Sequence, residues 1–170
     1  MKKFSSYETE RLILKPFDKG DASFLIELLN SPKWLANIGQ RNVHTIPEAE
    51  DYIESKMTSQ LERLGYGNNV VTKKDGMVPM GACGLYERPG LDIVDIGFAF
   101  LESYEGLGYG YEAASKLLQV AKDSFNLTKV CAITIKENIA SQKLLSKLGL
   151  TYVKNMEMDG TELMYYEIEL

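Results

Sequence analysis

Apolar residues recur along this chain in two rhythms, at every second position in short runs and at every third or fourth in longer ones. The run RLILKPF (11–17) alternates and stops at Pro16, which predicts a first strand. Asp21 is placed to cap a short helix through Phe24, Leu25, Leu28 and Leu29 that ends at NSPK (30–33). Thr45 and Glu48 then stand at capping-box spacing, and Ala49, Tyr52, Ile53, Met57, Leu61 and Leu64 follow down one face, predicting a second helix over 45–65. Three alternating runs come next, NNVVTKK (68–74), VPMGACGLYE (78–87) and DIVDIGFAFL (92–101). KDGM and RPG supply the turn signals between them, so an antiparallel meander is expected. A helix is predicted from about Tyr109 to Phe125, where Ala113, Ala114, Leu117, Leu118, Ala121 and Phe125 recur at helical spacing. KVCAITI (129–135), the helix NIASQKLLSKL (138–148) with Gly149 as its C-cap, TYVKNME (151–157) and ELMYYEIEL (162–170) complete the order.

That order is one strand, two helices, three strands, helix, strand, helix and two strands. It predicts a single α/β (α+β) domain over residues 1–170, with a mixed sheet of about seven strands flanked by about four helices. No repeat, low-complexity tract or composition shift marks a linker. With 170 residues, 45% apolar and 25% charged, the chain has the composition of a folded soluble domain. The net charge of -5 argues against nucleic-acid binding and favours a cationic partner. MKKFSSYETERLILK carries two lysines but no apolar core of signal-peptide length, and no run of about 18 apolar residues occurs, so no membrane partner and a cytoplasmic location are expected. Cys83 and Cys131 lack the spacing of a metal site and read as buried free thiols; no metal is expected.

The segment LESYEGLGYGYEAASKLL (101–118) places Gly106, Gly108 and Gly110 at alternate positions before the long helix. A helix start carries unpaired backbone N–H groups and the positive end of the macrodipole, which suits phosphate oxygens. Gly106, Leu107, Gly108, Tyr109, Gly110 and Tyr111 therefore read as an anion cradle. The competing reading is a tight strand-to-helix turn with no ligand. A P-loop is excluded because Gly110 is followed by Tyr111-Glu112 instead of Lys-Ser/Thr. A dinucleotide fingerprint fits poorly because Tyr111 stands in the spacing of the third glycine.

The loop EGLGYG (105–110) resembles the acyl-coenzyme A signature of the GNAT N-acetyltransferases, a Gln/Arg-x-x-Gly-x-Gly/Ala turn that opens a long helix. ETERLILKPFDKGDA (8–22), VDIGFAFLESYEGLGYGYEA (94–113) and ENIASQKLLSKLGLTYV (137–153) are similar, in order, to the opening strand and helix, the central strand and loop, and the Asn-x-x-Ser helix of the RimJ/RimL-like subgroup. The resemblance implies a mostly antiparallel twisted sheet and acetyl-CoA as co-substrate. It also implies an amine acceptor, most in keeping with a peptide or protein N-terminus and alternatively a polyamine or aminoglycoside. A homodimer is compatible with it. The pantetheine arm is implied to lie along the backbone of Phe98, Ala99 and Phe100, with Asn138 touching it and Ser141 beside the thioester sulfur. The chain departs from the pattern at Glu105, where Gln or Arg is usual, and at Leu145, where many members carry a tyrosine general acid.

The residues themselves offer two catalytic candidates. Ser141 follows Asn138 by one helical turn, so both can face one cleft; the alternative is a solvent-facing helix serine. Strand period puts Ile93, Asp95, Gly97, Ala99 and Leu101 on one face, so Asp95 is a lone carboxylate in line with two very small residues that leave room for a ligand. Such a carboxylate can take an amine's proton directly or through water, or it can be an edge acid bonded structurally. His44 reads as a surface residue, and a Ser-His-Asp hydrolase lacks its Gly-x-Ser-x-Gly elbow. Trp34, Tyr7, Tyr52 and Tyr86 fit either an acceptor pocket or the core. Two rival functions remain, a catalytically silent acetyl-CoA-binding module and a nucleotide-binding regulatory domain.

Overall fold

A computed structural model describes residues 4–170; the opening Met1-Lys2-Lys3, with its two lysines, lies outside the described residues. Eight strands form one sheet in the order β1-β2-β3-β4-β5-β6-β8-β7. They are β1 Tyr7–Glu8, β2 Leu12–Pro16, β3 Asn68–Lys73, β4 Val78–Tyr86, β5 Asp95–Phe100, β6 Lys129–Thr134, β7 Thr151–Met158 and β8 Thr161–Glu169. The strand beyond the seven expected is the two-residue β1, too short for an alternating pattern to register. Every pairing is antiparallel except β5 with β6, which is parallel and is registered at a single pair, Asp95 with Cys131.

Six helical segments flank the sheet: α1 Ala22–Leu29, α2 Pro32–Asn37, α3 Ile46–Tyr52, α4 Ser59–Leu64, α5 Tyr109–Phe125 and α6 Ile139–Leu148. The capping box of Thr45 and Glu48 starts α3 as expected. The expected cap of α1 is corrected. Asp21 makes no side-chain cap bond there; the reciprocal pair is Asp18 with Asp21, around the 3₁₀ turn Lys19–Asp21. The helix ends at NSPK as expected, with Leu29 its last residue; Ser31 is extended, and Pro32 then opens a further short helix, α2, in whose first turn its missing N–H costs nothing. The single helix expected over 45–65 is interrupted by a π segment, Ile53–Thr58, before α4 closes on Gly65 in left-handed backbone.

Strand alternation sorts the sheet's side chains into two cores. Leu12, Leu14, Val71, Met80, Cys83, Leu85 and Ile96 bury against Ala113, Ala114 and Leu117 of α5 and Leu145 of α6. Val70 and Ala82 face the other way, against Leu25, Leu28, Ala49 and Ile53 of the first helices. Each fully buried Leu or Ile contributes roughly 1.5–3 kcal/mol, so the register is strongly fixed; a one-residue slip would put every one of these side chains on the wrong face.

Candidate active site

The cleft starts where the sheet comes apart. Cys131 donates its N–H to Val94 O at 2.9 Å and pairs with Asp95, but no further β5–β6 pair is registered, so the β5 edge from Ile96 to Phe100 diverges from β6. An unpaired strand edge offers backbone donors and acceptors to an extended ligand. Phe98 and Phe100 pack toward the α5 side of the sheet and Ala99 toward the α1–α3 side, so the three alternate as strand period requires.

At the far end of β5 the loop to α5 presents the glycines. Gly106 (φ 72°) and Gly108 (φ 84°) are left-handed, and Gly108 is the N-cap of α5. No backbone N–H from Gly106 to Tyr111 reaches a backbone carbonyl among the described residues. These are the free donors of a helix start. Leu107 and Tyr111 are exposed beside them. Gly110 does not clear space for a ligand: a Cβ there would lie 3.0 Å from Leu144 Cδ2 and 3.6 Å from Phe100 Cε2, so it lets α5 approach α6 closely. The Tyr109 side chain is buried in the core, leaving only its backbone to face the loop.

Arg11 holds this loop from below, and sequence reasoning missed it because it reads simply as the first residue of a strand. Its Nε donates to Glu112 Oε2 at 2.7 Å and its Nη1 to Leu107 O at 3.1 Å, while the guanidinium lies 4.3 Å from the Tyr109 ring centroid. Thr9 and the Arg11 backbone N–H also donate to Glu112, and these bonds, outweighing partial burial, hold its carboxyl below the usual range. Glu105 pairs with Lys33 of α2, which offsets the like-charge conflict that a carboxylate would create beside phosphate.

Asn138 and Ser141 come together on the first turn of α6. Asn138 Oδ1 caps the helix by accepting the Ser141 N–H at 3.2 Å, and the half-buried Ser141 hydroxyl has no hydrogen-bond partner among the described residues. Leu145, the departure from the tyrosine pattern, is 1% exposed and serves the core. His44 is exposed, as expected.

Asp95 stands at the apex of the cleft on the α1–α3 side. It is 1% exposed; Oδ2 accepts from Arg88 Nε at 2.8 Å, and the buried Oδ1 has no partner. Burial pushes its carboxyl up to about 6, against the pull of the Arg88 charge. The reading of its small neighbours is half corrected: a Cβ on Gly97 would meet Tyr86 Cε2 at 2.9 Å, so a ring already fills that space. Tyr86 is anchored through its hydroxyl to Asn68 Oδ1 at 2.8 Å and carries the Arg88 guanidinium 5.3 Å over its ring. Among the described residues the Trp34 indole N–H is the other buried side-chain polar group without a partner, and Trp34, like Tyr52 and Ala99, packs against the core on this same side. Arg88 gave no periodic or motif signal of its own, and Trp34 fitted either a pocket or the core; only the fold brings them to this side of β5.

A strand edge left open by the divergence of β5 and β6, a loop of free N–H groups at its far end and a buried carboxylate with one unbonded oxygen form an arrangement suited to an extended, phosphate-bearing ligand and an amine. The family described as the Acetyltransferase (GNAT) domain matches residues 11–151. The chain belongs to this family and is an acetyl-CoA-dependent N-acetyltransferase, an acyltransferase with acetyl-CoA as co-substrate. It is 31% identical over 103 residues to the uncharacterized N-acetyltransferase YjdG of Bacillus subtilis (strain 168), a match covering 60% of this chain and 61% of that protein. Its fold is similar to the acetyltransferase from Agrobacterium tumefaciens str. C58, with TM-score 0.82 and 21% identity over 99% of this chain and 96% of the other. It is also similar to RimL, a ribosomal L7/L12 alpha-N-protein acetyltransferase in complex with coenzyme A, with TM-score 0.82 and 16% identity over 98% of each chain. Among the described residues no helix is long and apolar enough to cross a membrane.

Proposed function

We propose that this enzyme acetylates the α-amine of a peptide or protein N-terminus, in the manner of the RimJ/RimL-like subgroup. The observation that carries the reading is the buried Asp95 oxygen with no partner, beside the gap between β5 and β6. A buried acceptor left unbonded costs roughly 1–3 kcal/mol, and an amine entering the cleft would relieve that cost. An α-amine near ~7.7 gives up its proton more easily than a lysine near ~10.4, so a carboxylate of modest basicity suits it.

The other roles follow from the same arrangement. Acetyl-CoA, when bound, supplies an activated acetyl thioester. The N–H groups of residues 106–111 and the Arg11 charge would hold its phosphates, and the edge of Phe98, Ala99 and Phe100, with Asn138, would hold the amides of its arm. Asp95 orients the amine and takes its proton, directly or through water. Ser141 gives a hydrogen bond to the departing sulfur, since Leu145 has no proton to offer. A thiol-release assay with acetyl-CoA against N-terminal peptides, polyamines, aminoglycosides and free amino acids tests the reading. Peptides are expected to lead. Activity confined to polyamines or aminoglycosides overturns it, and cofactor binding without turnover on any amine identifies a silent binding module.

A further inference from the structure

Arg88 has more capacity than its one described bond uses. A guanidinium carries five N–H donors in a planar fork, and Asp95 takes only the one on Nε. Both terminal amino groups lack an acceptor among the described residues. The neighbouring acid, Glu87, is tied up by Arg63 at 2.7 Å and does not fill them. The fork is also held in place: Nε is bonded, the ring of Tyr86 lies beneath, and the turn that carries it is closed by Leu91 N–H donating to Arg88 O at 3.1 Å. Its side chain is 37% exposed, so Arg88 lies at the edge of the protein, where a ligand can reach it. If Arg88 served merely to neutralise Asp95, a point charge would suffice and the fork would be surplus. A pre-organised guanidinium with two free amino groups is a bidentate receptor for a carboxylate.

We infer that the acceptor carries a carboxylate on the first or second residue from its amine, and that Arg88 reads it while Asp95 receives the amine. This deepens the proposed function and rests on it: the substrate class is an N-terminus with Asp or Glu as its first or second residue. The overall charge of -5 does not oppose this, because an acceptor of that kind is a zwitterion at its end and the local field beside it is set by Arg88.

The test uses peptides amidated at the C-terminus and differing only at the second residue, Glu, Gln or Lys, so that the side chain is the only carboxylate. The wild-type kcat/KM is expected to favour Glu over Gln by about tenfold or more, the size of a charge-assisted bidentate contact. Arg88→Gln should bring that ratio close to one, and Arg88→Lys should restore part of it. The ratio is read within each variant, so a general loss of folding or turnover does not mimic the result. Equal or reversed preference in the wild type overturns the inference, and turnover of all three peptides would still leave N-terminal acetylation standing. If no peptide is acetylated, the N-terminal reading fails. Equilibrium binding of the same peptides, and of glutamate against glutamine, to the CoA-loaded protein then decides the inference by itself: no preference for the acid overturns it.

Discussion

Replacing Asp95 with Asn keeps the side chain's shape and an acceptor for Arg88 Nε, and removes only the ionisable group. The wild-type carboxyl titrates at about 6, because burial at 1% exposure outweighs the Arg88 pair at 2.8 Å. It is therefore ~10% ionised at about pH 5 and ~90% ionised at about pH 7, so kcat/KM for a peptide should rise about tenfold between them and then level off. The Asn variant depends on amine that arrives neutral. For an α-amine near ~7.7 that fraction is about one-sixth at pH 7 and ~95% at pH 9, so the variant should gain about sixfold over a range where the wild type is flat. The assay is initial-rate thiol release at saturating acetyl-CoA. A wild-type to variant ratio that stays constant from about pH 7 to 9, or a wild type with no limb near 6, refutes the base role. The same carboxyl leaves a mark on stability. Its folded pKa is raised above the ordinary 3.8, so its favourable contribution is complete below that value and is lost as pH rises through about 6. Measured by denaturant melts, the wild type should lose up to about 3 kcal/mol relative to Asp95→Asn across that window. Carboxyls held low by hydrogen bonds and ion pairs, such as Glu112 and Glu167, act in the opposite sense and cancel in the difference.

Three further outcomes are expected. Ser141→Ala should lower kcat by about 10² while leaving the CoA dissociation constant nearly unchanged; turnover within about twofold of wild type would mean that water protonates the thiolate. Gly110→Val should cost about 1–3 kcal/mol in a thermal melt, because its Cβ meets Leu144 Cδ2 at 3.0 Å and the added methyls crowd the α5–α6 contact further; an unchanged melt would show that α6 simply moves aside. Arg11→Met removes the bonds to Leu107 O and Glu112 together with the charge over Tyr109, and should weaken CoA binding by about five- to tenfold in calorimetry at a stability cost of about 1 kcal/mol or less. Unchanged affinity would confine Arg11 to a structural role.

Local chemistry made much of this protein legible in its sequence. Helix α5 begins at Tyr109 and ends at Phe125 where periodicity places it, α6 closes on Gly149, and the meander of β3, β4 and β5 follows its turns, because capping, glycine conformation and alternation act within a few residues. The face assignment along β5 is likewise a matter of period two, and it correctly set Asp95 opposite Ile96. What lay beyond reach depends on residues far apart in the chain. Tyr86 fills the space beside Gly97, and Leu144 fills the space beside Gly110; a glycine's sequence neighbours do not reveal whether a ligand or a side chain will occupy it. Arg11 reaches Glu112, 101 positions further along the chain, and Arg88 meets Asp95 only because the β4–β5 hairpin folds back on itself. The pKa of Asp95 was no more readable, since burial and the Arg88 partner exist only after β5 has been packed against the first helices and joined to β6 at one pair. The sequence determined which elements form and which way their side chains alternate, because those are short-range steric and hydrogen-bonding preferences. Tertiary structure decided which polar groups were left unpaired around the gap in the sheet, because that depends on what each one meets when distant elements close on it.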